Sequence, residues 1–214
     1  MPNSMFRIVT RSSSGAGESV SLQELPSSDS ATDWSPDGRY LLTESANLTS
    51  GDSEISVVPL DPREKPHVLP VANTGTQTSG QFSPDGRFIA FAMLANGTPQ
   101  IFVVPFAAGN GMWQASSDGG HWPRWSRDGT QLYFISMRNE MMTVDIHEKG
   151  NNIEVAHPVR LFSFRPSVRI YRLGMIDYDV SPDGKRFLLV VAADENIRPL
   201  TVLQNWTNLL PARP

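Results

Sequence analysis

The chain has 214 residues, with 18 lysines and arginines against 22 aspartates and glutamates, and a formal net charge of −4 at pH 7. This slightly acidic balance without a basic cluster argues against a nucleic-acid partner, and the lack of cysteine excludes disulfides, thiolate catalysis and cysteine-based metal sites. The longest apolar runs, such as residues 187–193, are far shorter than the roughly twenty residues that a membrane-spanning helix needs.

The first predicted elements are two short strands, at residues 6–10 and 19–22, which precede any repeated sequence. No basic stretch followed by an apolar segment stands before them, so no signal peptide is expected. The sequence by itself leaves the compartment open.

A four-residue motif then recurs along the chain at spacings of 43 to 55 residues. Its copies begin at Ser35, Ser83, Ser126 and Ser181; three read Ser-Pro-Asp-Gly, and in the third Arg127 replaces the proline. The order of residue types suits a tight turn, since proline presets φ at the second position and glycine accepts a positive φ at the end. The motifs are therefore predicted to be turns and not active sites.

Runs of strand-forming residues flank each motif, which predicts an antiparallel sheet around every turn. Strands later in each repeat are predicted at 55–58, 68–70, 101–104, 112–115, 141–144 and 200–203. Repeats of this length, with four short strands each, are typical of β-propeller blades.

We predict an all-β fold, a β-propeller of four-stranded antiparallel blades in one domain at 1–214. The expected parts are a leading half blade and four motif-bearing blades in a partial or small ring, at residues 1–28, 29–75, 76–118, 119–165 and 175–214. If the ring is an open arc, exposed blade faces predict self-association, and the chain could complete a neighbour's ring. Alternatively, the leading strands close onto the last blade.

The sequence around the motifs resembles the repeats of TolB and related WD-like propellers: D-W-S-P-D-G-R-Y-L-L, Q-F-S-P-D-G-R-F-I-A-F and R-W-S-R-D-G-T-Q-L-Y-F. This resemblance covers residues 30–204 and implies the fold, whereas propellers host many functions. The segments S-S-G-A-G-E-S-V-S-L, W-Q-A-S-S-D-G-G-H-W-P-R-W-S and P-L-T-V-L-Q-N-W-T-N-L-L also resemble the C-terminal propeller of bacterial receptor-like serine/threonine kinases. That second resemblance implies a sensor or interaction domain of a larger, kinase-linked protein, placed in the periplasm or otherwise outside the cytoplasm.

Polar residues near the starts of the inner strands are the candidates for a ligand site, because these positions surround one mouth of a propeller's central channel. We predict that they converge although they are distant in sequence: Asp33, Gln81, His121, Trp122, Arg124, Asp177, Tyr178 and Asp179. No catalytic residue and no metal ligand is assigned, since no H-x-H or H-x-x-x-H spacing accompanies them.

Three interpretations of this set stay open. The residues form an ordinary polar lining of a wet channel, or they bind a ligand or peptide end, with Arg124 contacting a carboxylate and Trp122 forming an apolar wall. In the third interpretation His121 and the aspartates hold a metal that polarises an ester or lactone carbonyl. One histidine with scattered carboxylates suits Ca²⁺ better than zinc, and no other cofactor is expected.

Other residues are predicted to have structural or solvated positions. The repeated aromatic residues are expected to pack between blades: Trp34, Phe82, Trp125, Tyr133 and Phe134. His147 is expected in a loop after the third middle strand, and the basic segment 160–172 in a solvated loop that connects two blades.

The sequence favours a non-catalytic recognition or scaffold propeller that binds a protein, peptide or small ligand at the channel mouth. The motifs of kinases, phosphate-binding loops and serine hydrolases are missing from the sequence. The alternative is a metal-assisted hydrolase of esters, lactones or phosphoesters that uses the same residues. No nucleic-acid partner and no membrane segment of this chain are expected.

Overall fold

The computed structural model of the chain describes residues 6–25, 29–46, 51–61, 63–69, 71, 75–106, 111–150, 152–165 and 178–191. These residues form seventeen β-strands in antiparallel sheets, and no helix occurs among them. Accordingly, these ranges contain no helix that is long and apolar enough to span a membrane. The predicted strand at 200–203 lies outside the described residues.

The first three sheets are a leading hairpin and two four-stranded blades, each in simple sequential order. The hairpin consists of β1 (Phe6–Thr10) and β2 (Val20–Leu25). The first blade contains β3 (Asp29–Trp34), β4 (Tyr40–Ala46), β5 (Ser53–Pro59) and β6 (His67–Val68). The second blade contains β7 (Gln77–Phe82), β8 (Phe88–Ala95), β9 (Thr98–Pro105) and β10 (Trp113–Gln114).

The third blade departs from this simple pattern. The third contains β11 (His121–Trp125), β12 (Gln131–Ile135), β13 (Glu140–Lys149), β14 (Asn152–Val155) and β15 (Val159–Ser163). Both β14 and β15 pair with β13, on its later and earlier residues respectively. The described strands of the fourth blade are β16 (Tyr178–Val180) and β17 (Phe187–Leu189). The all-β propeller prediction is confirmed.

The third blade corrects two details of the sequence interpretation. His147 does not lie in a loop, because β13 continues through Lys149 and pairs there with β14. The basic segment begins as a strand, since Arg160 pairs with Met142 and Phe162 with Met141. Backbone pairing with a distant strand overrides the polar composition that predicted a loop.

The four motifs form nearly identical turns, as predicted. In the first, the Ser35 hydroxyl donates to Asp37 Oδ1 at 2.6 Å and accepts from the Tyr40 amide at 2.9 Å. The Gly38 amide donates to the Ser35 carbonyl at 2.9 Å, and Gly38 has a φ of +73°. The same serine–aspartate bond recurs in the other three turns at 2.5 to 2.7 Å. Side-chain hydrogen bonds within the motif therefore close each turn.

The core consists of the apolar layers between neighbouring blades. Because side chains alternate along a strand, Ile89 and Phe91 of β8 pack against the first blade. The intervening Ala90 packs against the third blade, in a layer with Phe134. Complete burial of a phenylalanine such as Phe91 contributes about 1.5–3 kcal/mol, so these layers are the main source of stability.

One of the repeated aromatic residues differs from the prediction. Phe82, Trp125, Tyr133 and Phe134 are buried, whereas Trp34 is 48% exposed. Phe82 and Trp125 each pack in a layer shared with the preceding blade. Trp34 occupies the equivalent place in the first motif-bearing blade, and it lacks comparable cover from the described residues.

Candidate ligand site on the inner strands

Each inner strand carries a polar residue two positions before the serine of its turn. These equivalent residues are Asp33 in β3, Gln81 in β7, Arg124 in β11 and Asp179 in β16. In the first three strands the pairing register shifts immediately before this residue, as in a β-bulge. A bulge changes the direction of the following side chain, and here it precedes the residues that reach the neighbouring blade.

Asp33 and Gln81 join neighbouring blades through hydrogen bonds to backbone amides. Asp33 Oδ2 accepts from the Phe82 N–H at 2.7 Å, and Gln81 Oε1 accepts from the Trp125 N–H at 2.9 Å. Both acceptors are thus the same element of a repeated interblade contact. These two predicted site residues therefore have a structural role, which is to join neighbouring blades.

Arg124 interrupts this series, because a guanidinium has only donors and cannot accept from an amide of the next blade. In the fourth blade the amide equivalent to those of Phe82 and Trp125 is that of Val180. It donates to Asp179 Oδ1 of its own strand at 2.8 Å. Arg124 is half-buried, and its Nε atom is buried without a hydrogen-bond partner among the described residues. Where the first two blades have acceptors, the third therefore has a donor without a partner among the described residues.

Charges link Asp33 and Arg124 although they belong to blades that are not neighbours in sequence. Burial raises the pKa of Asp33, while hydrogen bonds from the Phe82 and Trp34 amides and the positive charge of Arg124 act in the opposite direction. The Arg124 charge also acts on Tyr178 of the fourth blade, whose pKa burial raises strongly. The positive charge of Arg124 therefore acts on both the Asp33 carboxyl of the first blade and the Tyr178 phenol of the fourth.

The remaining predicted residues lie at the junction of the third and fourth blades. Tyr178 is buried, and its hydroxyl donates to the Trp122 carbonyl at 2.8 Å. Trp122 is itself buried and has a φ of +53°, an uncommon backbone conformation for a bulky residue. Its side chain packs in the apolar layer with Tyr133, so it belongs to the core rather than to an open wall.

His121 and the aspartates of the fourth blade complete the predicted set. His121 is half-buried beside Trp122, and burial lowers the pKa of His121, which favours the neutral imidazole at pH 7. Asp179 is exposed, and Asp177 lies outside the described residues. Within the described ranges no three histidine, aspartate or glutamate side chains are grouped so that they could hold a metal ion.

Sequence reasoning missed Glu44, which forms a second contact between the first two blades. Glu44 Oε2 accepts from the Ser79 amide at 2.9 Å, and Ser79 has a φ of +60°. Burial raises the pKa of Glu44, and the hydrogen bond from Ser79 opposes this shift. The available signal was an acidic residue in the same strand as the apolar pair Leu41-Leu42, two positions after it.

Comparisons with known proteins agree with this architecture. TolB from Acinetobacter baumannii is 19% identical with a TM-score of 0.56, and the match covers 82% of this chain and 40% of that one. A periplasmic gluconolactonase from Pseudomonas aeruginosa is 20% identical with a TM-score of 0.50, covering 80% of this chain and 53% of that one. At such identities the likeness concerns the fold alone, and this chain spans about half or less of either protein.

The family comparison extends over nearly the whole sequence. Among curated proteins none matches this chain. The family model described as the TolB beta propeller domain, PD40, matches residues 8–205, a range that includes all four turns and the described inner strands. The chain therefore belongs to the TolB β-propeller domain family.

Proposed function

We propose that this chain is a non-catalytic recognition propeller that binds a protein, peptide or small ligand through the inner-strand surface around Arg124. The observation that carries the proposal is the break in the interblade series at this residue. Asp33 and Gln81 accept amides of the next blade, whereas Arg124 contributes donors and leaves its buried Nε without a partner among the described residues. A carboxylate brought by a ligand would accept charge-assisted hydrogen bonds from the guanidinium, in the two-point geometry that arginine favours.

The surroundings of Arg124 hold the neighbouring backbone in place. Trp122 and Tyr178 are buried in the adjoining layer and hold the backbone next to Arg124 through their mutual hydrogen bond. The backbone next to Arg124 is therefore fixed by a packed layer, which limits the backbone entropy that binding would cost. The resemblance to kinase-linked propellers supports placing the chain in a larger sensor protein.

Peptide binding by matched variants tests this proposal. A peptide library would be screened with free C-terminal carboxylates and again with amidated C-termini, against the wild-type chain and against Arg124→Gln and Arg63→Gln. Arg63 is an exposed arginine of the first blade, paired with Asp61, and serves as the control. We expect Arg124→Gln to weaken binding of the free-carboxylate peptides by about tenfold or more, and Arg63→Gln to leave it unchanged.

Two results would contradict the proposal. Equal binding by wild type and Arg124→Gln would remove Arg124 from the site. Saturable hydrolysis of an ester, lactone or phosphoester that EDTA and His121→Ala both abolish would support the metal-assisted hydrolase instead. That alternative is favoured by one feature, the burial that keeps His121 neutral, since the neutral imidazole is the form that ligates metals.

A further inference from the structure

The turns of neighbouring blades stack on one another, and this stacking changes at the junction of the third and fourth blades. A Cβ atom at Gly86 would lie 3.6 Å from Pro36 of the preceding turn, and one at Gly129 would lie 3.6 Å from Pro84. At the next junction the preceding turn has Arg127 instead of proline. The glycine of the fourth turn, Gly184, faces the Tyr133 hydroxyl at 3.1 Å by the same measure.

A second position of the repeat changes in the same blade. The residue five positions after the motif serine is aromatic in the first two blades, Tyr40 and Phe88, but is Gln131 in the third. Phe88 helps to fill the junction of the second and third blades, where only about 40 Å³ of space remains. Across that junction Arg87 pairs with Glu148 at 3.0 Å. In the third blade, Arg127 and Gln131 thus place polar side chains where the first two blades have a proline and an aromatic residue.

The result is a cavity of about 370 Å³ between the third and fourth blades, on the side of the turns. It is lined by polar or charged side chains of both blades together with the glycine of the fourth turn: Arg127, Asp128, Gln131, Tyr133, Asp183 and Gly184. This volume lies within the range of small-molecule sites, toward its lower end. Arg124 does not line the cavity, so the cavity is separate from the site proposed above.

The two carboxylates of the cavity are ionised at neutral pH. A hydrogen bond from the Ser126 hydroxyl and one from the Thr130 amide hold the pKa of Asp128 below its ordinary value. The Ser181 hydroxyl and the Lys185 amide do the same for Asp183. In both residues these bonds go to Oδ1, and no hydrogen bond from a described residue occupies the Oδ2 atoms, which a ligand could therefore use.

A positive group and two neutral polar groups complete the lining. Arg127 is exposed and forms no ion pair with any described residue. The Tyr133 hydroxyl donates to Gln131 Oε1 at 2.8 Å, and Gln131 Nε2 donates to Asp145 Oδ1 at 2.9 Å. One amide hydrogen of Gln131 and the lone pairs of the tyrosine oxygen therefore stay available.

We propose that this cavity binds a small zwitterion, of the class of free α-amino acids, with its carboxylate on Arg127 and its ammonium between Asp128 and Asp183. Charges of both signs line one small volume. A neutral ligand would displace the water around these charged groups without supplying opposite charges in its place. A zwitterion supplies the opposite charge to each and forms charge-assisted hydrogen bonds with both. The proposal does not rest on ligand binding at Arg124.

Calorimetric titration of the whole chain with L-alanine, L-serine, L-glutamate and L-lysine tests this proposal, with propionate and propylamine as single-charge probes. Arg127→Pro restores the residue of the other three turns, so the variant is expected to fold. Asp183→Asn removes a cavity carboxylate, and Asp37→Asn makes the same change in the first turn, away from the cavity. Circular dichroism would confirm that each variant is folded.

We expect at least one of the amino acids to bind saturably to wild type and to Asp37→Asn, and propionate and propylamine to bind far more weakly. Arg127→Pro and Asp183→Asn should weaken that binding about tenfold or more. Failure of all four amino acids to bind the folded wild type would overturn the proposal, as would unchanged affinity in Arg127→Pro. Propylamine binding as tightly as an amino acid would also overturn it, because the site would then recognise a cation alone.

Discussion

Asp33 accepts a hydrogen bond of 2.7 Å from the backbone N–H of Phe82, so a carboxylate of the first blade secures the inner strand of the second. Burial raises the pKa of that carboxyl, which means that the ionised form is kept at a cost in solvation. What the contact requires is an acceptor oxygen, and a neutral amide supplies one equally well. The neighbouring blade makes the same contact with Gln81.

Replacement of Asp33 should therefore depend on whether the acceptor is kept. Asp33→Ala leaves the Phe82 amide without its partner, and we expect the free energy of unfolding to fall by about 1–3 kcal/mol. Asp33→Asn keeps an oxygen and removes the charge, so its stability should equal or exceed that of wild type. Urea unfolding curves at neutral pH measure both, and equal losses in the two variants would contradict this role.

The charge of Asp33 should also give stability a definite pH dependence. Burial raises the pKa of Asp33 in the folded chain above the ordinary value of 3.8. The contribution of Asp33 to the free energy of unfolding is therefore fully present below pH 3.8 and is lost as pH rises through the folded pKa. Asp33→Asn should gain stability relative to wild type across that rise. Comparison of the melting temperatures of the two proteins between about pH 3 and about pH 7 would reveal it; a constant difference would count against it.

Asp128, the aspartate of the third turn, should act in the opposite sense. The pKa of Asp128 is lowered, first of all by the Ser126 hydroxyl, so its contribution is complete above 3.8 and is lost as pH falls through the folded pKa. Ser126→Ala should therefore reduce the fall in melting temperature that acid causes. Thermal melts from about pH 6 to about pH 2 would check this. If the melting temperature falls equally in both proteins, the Asp128 carboxylate has little influence on stability in acid.

Arg124→Gln should weaken ligand binding without lowering the stability of the fold. Glutamine at this position can accept the Val180 amide, as Gln81 accepts that of Trp125. We expect a melting temperature equal to or above that of wild type, together with the loss of carboxylate binding described above. A large drop in melting temperature would instead mean that Arg124 is held by structural contacts and is not reserved for a ligand.

Tyr178→Phe tests the junction of the third and fourth blades. Removal of the hydroxyl leaves the Trp122 carbonyl without this donor in a buried layer, and we expect a loss of about 1–2 kcal/mol in the free energy of unfolding. Tyr133→Phe removes a hydroxyl bonded to Gln131 at the cavity, and it should cost less because that hydroxyl can be replaced by water. Equal costs would contradict the importance of the Trp122 contact.

The sequence predicts the turns and most strands because their causes are local. Ser35, Asp37 and Gly38 lie within four residues and determine one another's conformation, so the same residue types give the same turn four times. The pairing of β15 with β13 and the contact of Glu44 with Ser79 could not be predicted in this way. Both depend on the register between segments that are far apart in sequence, which no local pattern encodes.

The candidate site could be predicted only in part for the same reason. Its residues were identified from their equivalent positions in the repeat, and the structure relates three of them across blades: Asp33, Gln81 and Arg124. Position alone could not distinguish acceptors that hold blades together from a donor left unused. That distinction needs the partner of each side chain, and the partners of Asp33 and Gln81 lie 49 and 44 residues away in the sequence.

The interblade contacts also give the propeller a direction. Each of the first two blades supplies an acceptor to the inner strand of the next blade, from Asp33 to Phe82 and from Gln81 to Trp125. This series ends at Arg124, so among the described residues the fourth blade is joined to the third by the Tyr178 hydrogen bond and an apolar layer, without the bond that joins the others. Under mechanical load, the junction of the third and fourth blades should therefore separate before the two junctions that carry this bond.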